Sequence, residues 1–370
     1  MKVLLMSVKA GYGHHSAAQA LIECFEGHGL ECEMLDTLEY VNKFLGASVQ
    51  EGYLFLTKHL KRPYGKAYTH FDKRVKPYSK HSIKSVFFNM IAKRLIGYIK
   101  DYNPDFVIAT HSFAAVLITI LKGKGVITCP TFGIITDFTI HPFWESTKLD
   151  YYITPDSLLD LGAIKKGISK EKILPFGIPV KKQFSTKEDK HKTRSKLGLS
   201  DKTTVMVMMG SMGFGSLKDV IKDLDAYPAD FQIVCICGNN KKMFKKISTE
   251  NWNKEIHTLQ FIKNVHEYMD ASDILITKPG GLTTSEALAK QLPLILSNPI
   301  PGQEDRNVEF LVNSGAALCI TKTFPLHNAL YQFFDSSWRK EHMMTAVSRI
   351  GKPDSAENLY KVIENLITKE

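Results

Sequence analysis

Short apolar, β-rich runs alternate with helix-length segments along this chain, and they do so in two successive series. Residues 3–8, 31–36, 106–110 and 131–135 form the first; 204–209, 231–237, 258–261, 274–277, 294–297 and 317–321 form the second. Strands separated by helices are joined by crossovers, which give parallel sheets covered by helices on both faces. The pattern predicts an α/β protein of two Rossmann-like domains, and 370 residues is the right length for two cores. A boundary is expected in 177–202, where GIPVKKQF leads into the polar stretch STKEDKHKTRSK. The expected division is 1–176, 177–352 and a last segment, 353–370. In that segment Leu359, Val362, Ile363 and Leu366 recur at helical spacing, predicting a C-terminal amphipathic helix packed back on the N-terminal domain.

Apolar residues make up 44% and charged residues 23%, which removes fibrous and disordered classes. Cys24, Cys32, Cys129, Cys235, Cys237 and Cys319 are scattered without a C-x-x-C, the pattern of reduced core thiols rather than disulfides or structural zinc. The longest uncharged stretch, 106–121, contains His111 and falls short of the ~18 to 20 apolar residues that span a bilayer. Residues 3–8 lead into Gly, Tyr and two His without a signal-peptide cleavage site, so a cytoplasmic chain is expected.

The formal net charge is +10, and its location matters more than its size. Residues 58–100 hold twelve Lys or Arg against the single acid Asp72, so the remainder is close to neutral. Tyr64, Tyr68, Phe71, Tyr78, Phe87 and Phe88 are interleaved with these charges, and SVFFNMIAKRLIGY (85–98) resembles an interfacial helix. Each Lys or Arg near an anionic membrane is worth roughly 1 kcal/mol, enough in sum for reversible attachment. The competing reading packs Val86, Met90, Ile91, Leu95 and Ile96 into the core and leaves the charges solvated. No nucleic-acid motif accompanies the segment, so no nucleic-acid partner is expected.

Three glycine-rich turns follow strand candidates. The first, KAGYGHHSAAQAL, places Gly11, Gly13, His14 and His15 before a helix, with Ser16 at the expected N-cap and Asp36 about twenty residues on. An exposed glycine turn gives two imidazoles no packing role, which marks them as functional candidates. The second, Gly210-Ser211-Met212-Gly213-Phe214-Gly215-Ser216, also precedes a helix. The third, Lys278-Pro279-Gly280-Gly281-Leu282-Thr283-Thr284-Ser285-Glu286, opens a helix with two glycines, three hydroxyls and a carboxylate. Backbone N–H groups and hydroxyls suit a diphosphate, and the carboxylate suits paired ribose hydroxyls. Gln303, Glu304, Asp305, Arg306 and Asn307 then crowd the end of the 294–297 strand, where open α/β sheets bind ligands.

These motifs resemble the monogalactosyldiacylglycerol synthase and processive diacylglycerol glucosyltransferase group of glycosyltransferase family 28. The resemblance runs through SVKAGYGHHSAAQAL, ITDFTIHPFW, PFGIPVKKQF and TKPGGLTTSEALAKQLPLILSNPIPGQEDRNVEFLVNSG. It implies the GT-B architecture, two Rossmann-like domains facing a cleft, with a UDP-sugar on the C-terminal domain and a lipid acceptor on the N-terminal one. It further implies that Glu286 binds ribose, that Gly280, Gly281, Leu282 and Thr283 with Gly210, Ser211 and Gly213 hold the diphosphate, and that the backbone near Phe261 meets uracil. Gln303 and Glu304 would grip the sugar, with Lys181, where relatives often carry Arg, as a point-charge contact to the diphosphate.

By the same resemblance His14 is the catalytic base, and Asp137 either orients it or serves as base itself. Gly13, His15 and His141 fall on the acceptor side, and Lys73, Arg74, Lys76, Phe87 and Phe88 in the membrane-contacting region. An unperturbed imidazole, with pKa near 6.5, suits such a base. The expected reaction is inverting transfer of a hexose, glucose favoured over galactose, from a UDP-sugar to 1,2-diacylglycerol. The expected partners are the UDP-sugar as co-substrate, diacylglycerol and an anionic membrane at the inner face of the cell membrane, with no metal cofactor. Alternatives are a GT-B transferase of N-acetylglucosamine to lipid-linked muramyl pentapeptide, a UDP-sugar epimerase, a nicotinamide dehydrogenase using Gly11, Gly13 and Asp36, and a non-catalytic lipid-binding module.

Overall fold

The computed structural model describes residues 1–9, 13–41, 83–209 and 217–368, with the side chains of 41 and 83–87 left aside. Two compact units emerge: residues 1–182, 300–306 and 354–370, and residues 183–299 and 307–353.

The first unit is built on a parallel sheet in the order β2-β1-β3-β4-β5-β6. Its strands are β1 (Lys2–Ser7), β2 (Glu31–Asp36), β3 (Phe106–Ala109), β4 (Thr131–Ile134), β5 (Tyr151–Ile153) and β6 (Ile173–Leu174). The run pattern predicted the first four. It did not predict the last two, of three and two residues. Val3, Leu4, Leu5 and Met6 are wholly buried, as expected for a strand covered on both faces.

Helix α1 (Gly13–Gly27) lays Ala17, Ala18, Leu21 and Phe25 on one face of the sheet, and α2 (Thr37–Val41) follows β2. Helix α3 (Ile83–Tyr102) buries Ile91, Ala92, Leu95 and Ile99 beside α4 (Ser112–Gly123) on the other face. The described apolar stripe of α3 is therefore core, which supports the packing reading for Ile91 and Leu95, whereas Met90 is exposed. The C-terminal helix (Ser355–Ile367) inserts Ala356, Leu359 and Ile363 beside Leu21, Ile22 and Phe25 of α1. Gly133 on β4 is demanded by packing: a Cβ there would stand 2.7 Å from the Trp144 ring. That close approach seats the 3₁₀ turn Pro142–Ser146 against the sheet.

The second unit repeats the plan with the order β12-β11-β10-β7-β8-β9, again parallel. Its strands are β7 (Thr204–Met208), β8 (Gln232–Ile236), β9 (Ile256–Leu259), β10 (Ile274–Thr277), β11 (Leu294–Leu296) and β12 (Ala317–Cys319). Its buried cluster draws on Val205, Val207, Ile233, Ile274, Ile276 and Leu330. Beneath the sheet a charged pair is sealed from water: Lys290 Nζ lies 2.6 Å from Asp270 Oδ2, with both side chains at most 1% exposed. The same ammonium donates to the Thr186 carbonyl, tying the first residues of the unit to its interior. No helix among the described residues is long and apolar enough to cross a membrane.

Candidate active site

In the first sheet β1 lies between β2 and β3, so the chain reverses its direction of growth there, and the crevice opens at the carboxyl ends of β1 and β3. His14 occupies the first turn of α1 above that point. Its Nδ1 lies 2.8 Å from the Thr110 carbonyl, just beyond β3, and 2.9 Å from the Thr136 hydroxyl, just beyond β4. A carbonyl only accepts, so Nδ1 carries the proton and Nε2 keeps its lone pair. Thr110 and Thr136 orient the ring, which is one of the two roles the sequence left open for Asp137. Burial pushes the His14 pKa down to about 4, against a smaller opposing effect of the Thr110 bond. The ring is therefore neutral across the physiological range, and its affinity for protons is lower than that of the unperturbed imidazole expected from sequence.

Two further histidines stand beside it. His111 caps α4, its Nδ1 accepting the Phe113 N–H at 3.0 Å, and its ring meets that of His14 edge-on at 4.5 Å. Burial, with His14 and His141 nearby, holds His111 well below its ordinary value. His141 caps the 3₁₀ turn Pro142–Ser146 by accepting the Phe143 N–H at 3.2 Å. The Asp137 carboxylate accepts from the Gln303 side-chain amide. Thr110, Thr136 and His111 were not singled out from sequence; the signal was their place immediately after β3 and β4, where an α/β sheet presents its polar groups.

His15 has a different task. Thr110 Oγ1 donates to Ser7 Oγ at 3.0 Å, Ser7 stands 3.0 Å from His15 Nδ1, and His15 Nε2 is 3.3 Å from Asp36 Oδ2. This relay ties β1, β2 and β3 together and occupies both ring nitrogens. Burial alone would push the Asp36 carboxyl up, but the His15 bond and the Glu39 and Leu38 N–H groups outweigh it and hold the group below its ordinary value. Asp36 thus caps α2, a task apart from the one the dehydrogenase reading would have given it. Gly13 opens α1, and Ser16 lies inside the helix instead of at its N-cap.

Phe88 is half-buried with its ring 5.1 Å from Phe113. Lys181 pairs with Glu23 of α1 at 3.5 Å, a use of its charge that the sequence did not suggest. Lys73, Arg74 and Lys76, and the Phe87 side chain, lie outside the described residues.

In the second sheet the reversal falls between β7 and β10. Gly210, Ser211 and Gly213, after β7, lie outside the described residues. After β10, the helix Gly281–Ala289 starts with Gly280 in extended conformation and no side-chain cap. The first backbone N–H with a helical acceptor is that of Thr284, on the Gly280 carbonyl at 3.1 Å, so those of Gly281, Leu282 and Thr283 point out of the helix end. A Cβ added to Gly280 would meet nothing within 4 Å, and its φ of −76° is ordinary. Neither packing nor conformation requires glycine there, and its absent side chain leaves open space at the helix end.

The hydroxyls behave otherwise than expected. Thr284 Oγ1 returns to the Gly280 carbonyl and Ser285 Oγ to the Gly281 carbonyl, each at 2.8 Å, leaving Thr283 of the three to face outward. Glu286 is half-buried on the same helix, and Phe261, just past β9, is 63% exposed. Asn307 is buried and donates to the Pro279 carbonyl at 2.9 Å, pinning the turn. Glu304 Oε2 accepts the Ile300 N–H at 2.6 Å, which holds the loop before its own helix. One triad among the described residues, Cys24, His28 and Glu357, brings potential metal-ligating atoms within 4.8 Å of one another, on the outer side of α1.

Residues 14–180 match the family described as monogalactosyldiacylglycerol (MGDG) synthase, and residues 204–359 match the glycosyltransferase family 28 C-terminal domain. Among curated relatives, a processive diacylglycerol beta-glucosyltransferase of Bacillus cytotoxicus is 28% identical over 374 residues, covering 98% of this chain and 93% of the relative. One of the same description from Bacillus cereus (strain G9842) is 29% identical over 377 residues, with the same coverages. Among solved structures, Acinetobacter baumannii MurG superposes with a TM-score of 0.63 at 14% identity, covering 98% of this chain and 99% of that one. UDP-GlcNAc 2-epimerase from Neisseria meningitidis gives 0.60 at 14% identity, covering 99% and 100%. At such identities the likeness carries the two-sheet fold and no activity.

Proposed function

Because this chain belongs to the monogalactosyldiacylglycerol synthase and processive diacylglycerol glucosyltransferase group of glycosyltransferase family 28, we propose that it transfers a hexose from a UDP-sugar to the free hydroxyl of 1,2-diacylglycerol, with glucose as the favoured sugar. The observation that carries the mechanism is the Nδ1 bond of His14 to the Thr110 carbonyl, which leaves Nε2 as a lone-pair acceptor. Nε2 takes the proton of the acceptor hydroxyl as its oxygen bonds to the anomeric carbon. The bond from that carbon to UDP breaks on the opposite side, and UDP leaves with the electron pair, so configuration inverts. The N–H groups of Gly281, Leu282 and Thr283 and the positive end of their helix are assigned to the diphosphate, where charge grows during transfer. Gly280 gives the phosphates room, with Gly210, Ser211 and Gly213 as further contacts.

Glu286 is assigned to the ribose and the exposed Phe261 segment to uracil. Gln303 and Glu304 are assigned to the sugar, with side chains already oriented by Asp137 and by the Ile300 N–H. His15 and His141 support the acceptor side, the first through the β1 to β3 relay. Residues 1–176 form the acceptor domain and residues 177–352, which include Gln303 and Glu304, the donor domain. With a membrane lipid as acceptor, the basic segment 58–100 attaches the chain peripherally to an anionic bilayer, at the inner face of the cell membrane.

Transfer from UDP-glucose and UDP-galactose to diacylglycerol in anionic micelles, followed by lipid product analysis with and without chelator, tests this reading. A glucosyl lipid is the expected product, and a second, larger one would establish processivity. UDP binding without lipid product from either donor would sink it.

A further inference from the structure

The stretch after β5 presents an apolar face that the transfer reaction does not use. A 3₁₀ turn (Ser157–Leu159) runs straight into α5 (Asp160–Lys165). This short element commits Ala163 to the core, fully buried, with Leu159 packed partly against it. Leu158, Leu161 and Ile164, three residues apart in turn, are 67%, 63% and 41% exposed. Among the described residues no other seven-residue stretch shows three large exposed hydrophobics. Isolated ones need no explanation, but a contiguous group marks a surface that meets something apolar.

The exposed charges around it are two lysines against one acid, Glu171. Lys165 and Lys170 are exposed. Of the element's acids, Asp156, 5% exposed, caps the turn through the Leu158 N–H at 2.9 Å, and Asp160 is half-buried, with its Oδ1 sealed from water and Lys170 nearby. Lys166 is tied to Glu145 at 3.1 Å, leaving Glu171 as the exposed acid nearby. The element also hangs from the carboxyl end of β5, which pairs in parallel with β4. The segment leaving the carboxyl end of β4 carries Asp137 and His141, so the apolar face and the acceptor-side residues share one edge of the sheet.

We propose that Leu158, Leu161 and Ile164 insert into the head-group layer of an anionic bilayer, with Lys165 and Lys170 at its surface. This contact rests on the proposed lipid acceptor, which an enzyme must collect from a bilayer. It is separate from the basic segment 58–100.

The test is partition of the full-length protein onto phosphatidylglycerol/phosphatidylcholine vesicles, measured without donor sugar. Leu158→Ser, Leu161→Ser and Ile164→Ser together are expected to lower the partition coefficient by about 10²-fold, with melting temperature and UDP affinity unchanged. Lys165→Glu with Lys170→Glu should lower it roughly tenfold or more on these vesicles and hardly at all on pure phosphatidylcholine. In an otherwise native chain, Leu161→Trp should add a blue-shifted emission that acyl-chain-brominated lipid quenches. Wild-type partition by the triple variant, or an added emission indifferent to brominated lipid, overturns the proposal. It is equally overturned if the triple substitution only converts a self-associated protein to monomer, since the face would then bind a second copy. Normal partition with no sugar transfer counts against the transferase reading alone.

Discussion

At the carboxyl end of the first sheet the polar groups are side chains fixed by one another: His14 on Thr110 and Thr136, His15 between Ser7 and Asp36, Asp137 under Gln303. At the corresponding end of the second sheet they are backbone N–H groups at a helix start, while the Thr284 and Ser285 hydroxyls fold back on their own carbonyls. One edge is suited to moving a proton, which needs a titratable group of defined tautomer. The other is suited to holding an anion, which needs only oriented dipoles and space. The same sheet topology thus presents two kinds of polar group, and the residues after the strands decide which.

The strongest test of that contrast is His14→Ala, expected to cut turnover by 10²-fold or more while UDP affinity, measured calorimetrically, changes less than about twofold. Loss of UDP binding with turnover retained would reverse the assignment. The donor edge depends in turn on its scaffold. Lys290→Ala strands the Asp270 carboxylate in the interior and should lower stability by about 3–5 kcal/mol in urea unfolding, whereas Lys290→Met with Asp270→Leu should recover most of it. An equal loss in the double variant would mean that the ion pair is a net contributor in its own right.

Acid separates the two edges further. The folded state holds the His14 pKa at about 4 against an unfolded value near 6.5, so it favours the neutral ring. The stability linked to this group is complete above about pH 6.5, declines as the pH falls, and is gone below about 4. The loss is on the order of 3 kcal/mol at most and is absent from His14→Ala. The acid limb of kcat/KM should likewise lie nearer 4 than 6.5, and a limb between 6 and 7 would show the ring to be better hydrated than its contacts imply. The smallest effects concern the donor helix. Glu286→Ala should weaken UDP binding by about 10- to 30-fold, but Thr284→Val and Ser285→Ala by no more than about threefold, because their hydroxyls already serve the helix. A large loss from either hydroxyl variant would mean that side chains, not backbone, grip the diphosphate.

Much of this was legible in the chain itself. Ten strands, the final amphipathic helix and the glycine turn after β10 announced themselves because continuous apolar runs, helical spacing and Gly-Gly are local properties. The placement of His14 after the first strand was equally readable. Its pKa was not, since the lowering comes from burial created by segments some hundred residues away, and neither was its orientation, set by Thr110 and Thr136. The three hydroxyls after Gly281 looked equivalent in sequence, and only helix geometry set Thr283 apart from the two that bond backwards. The resemblance offered Lys181 to a diphosphate, and only the fold brought Glu23 beside it.

Sequence alone determined that this protein has two parallel sheets, where their glycine-rich turns fall and which family it resembles, because periodicity and turn chemistry are written in neighbouring residues. Tertiary structure alone decided which nitrogen of His14 carries the proton, that the apolar stripe of α3 is core, and that Leu158, Leu161 and Ile164 are not. Those outcomes depend on what the fold brings alongside each side chain, and burial is a property of the assembled molecule rather than of any segment.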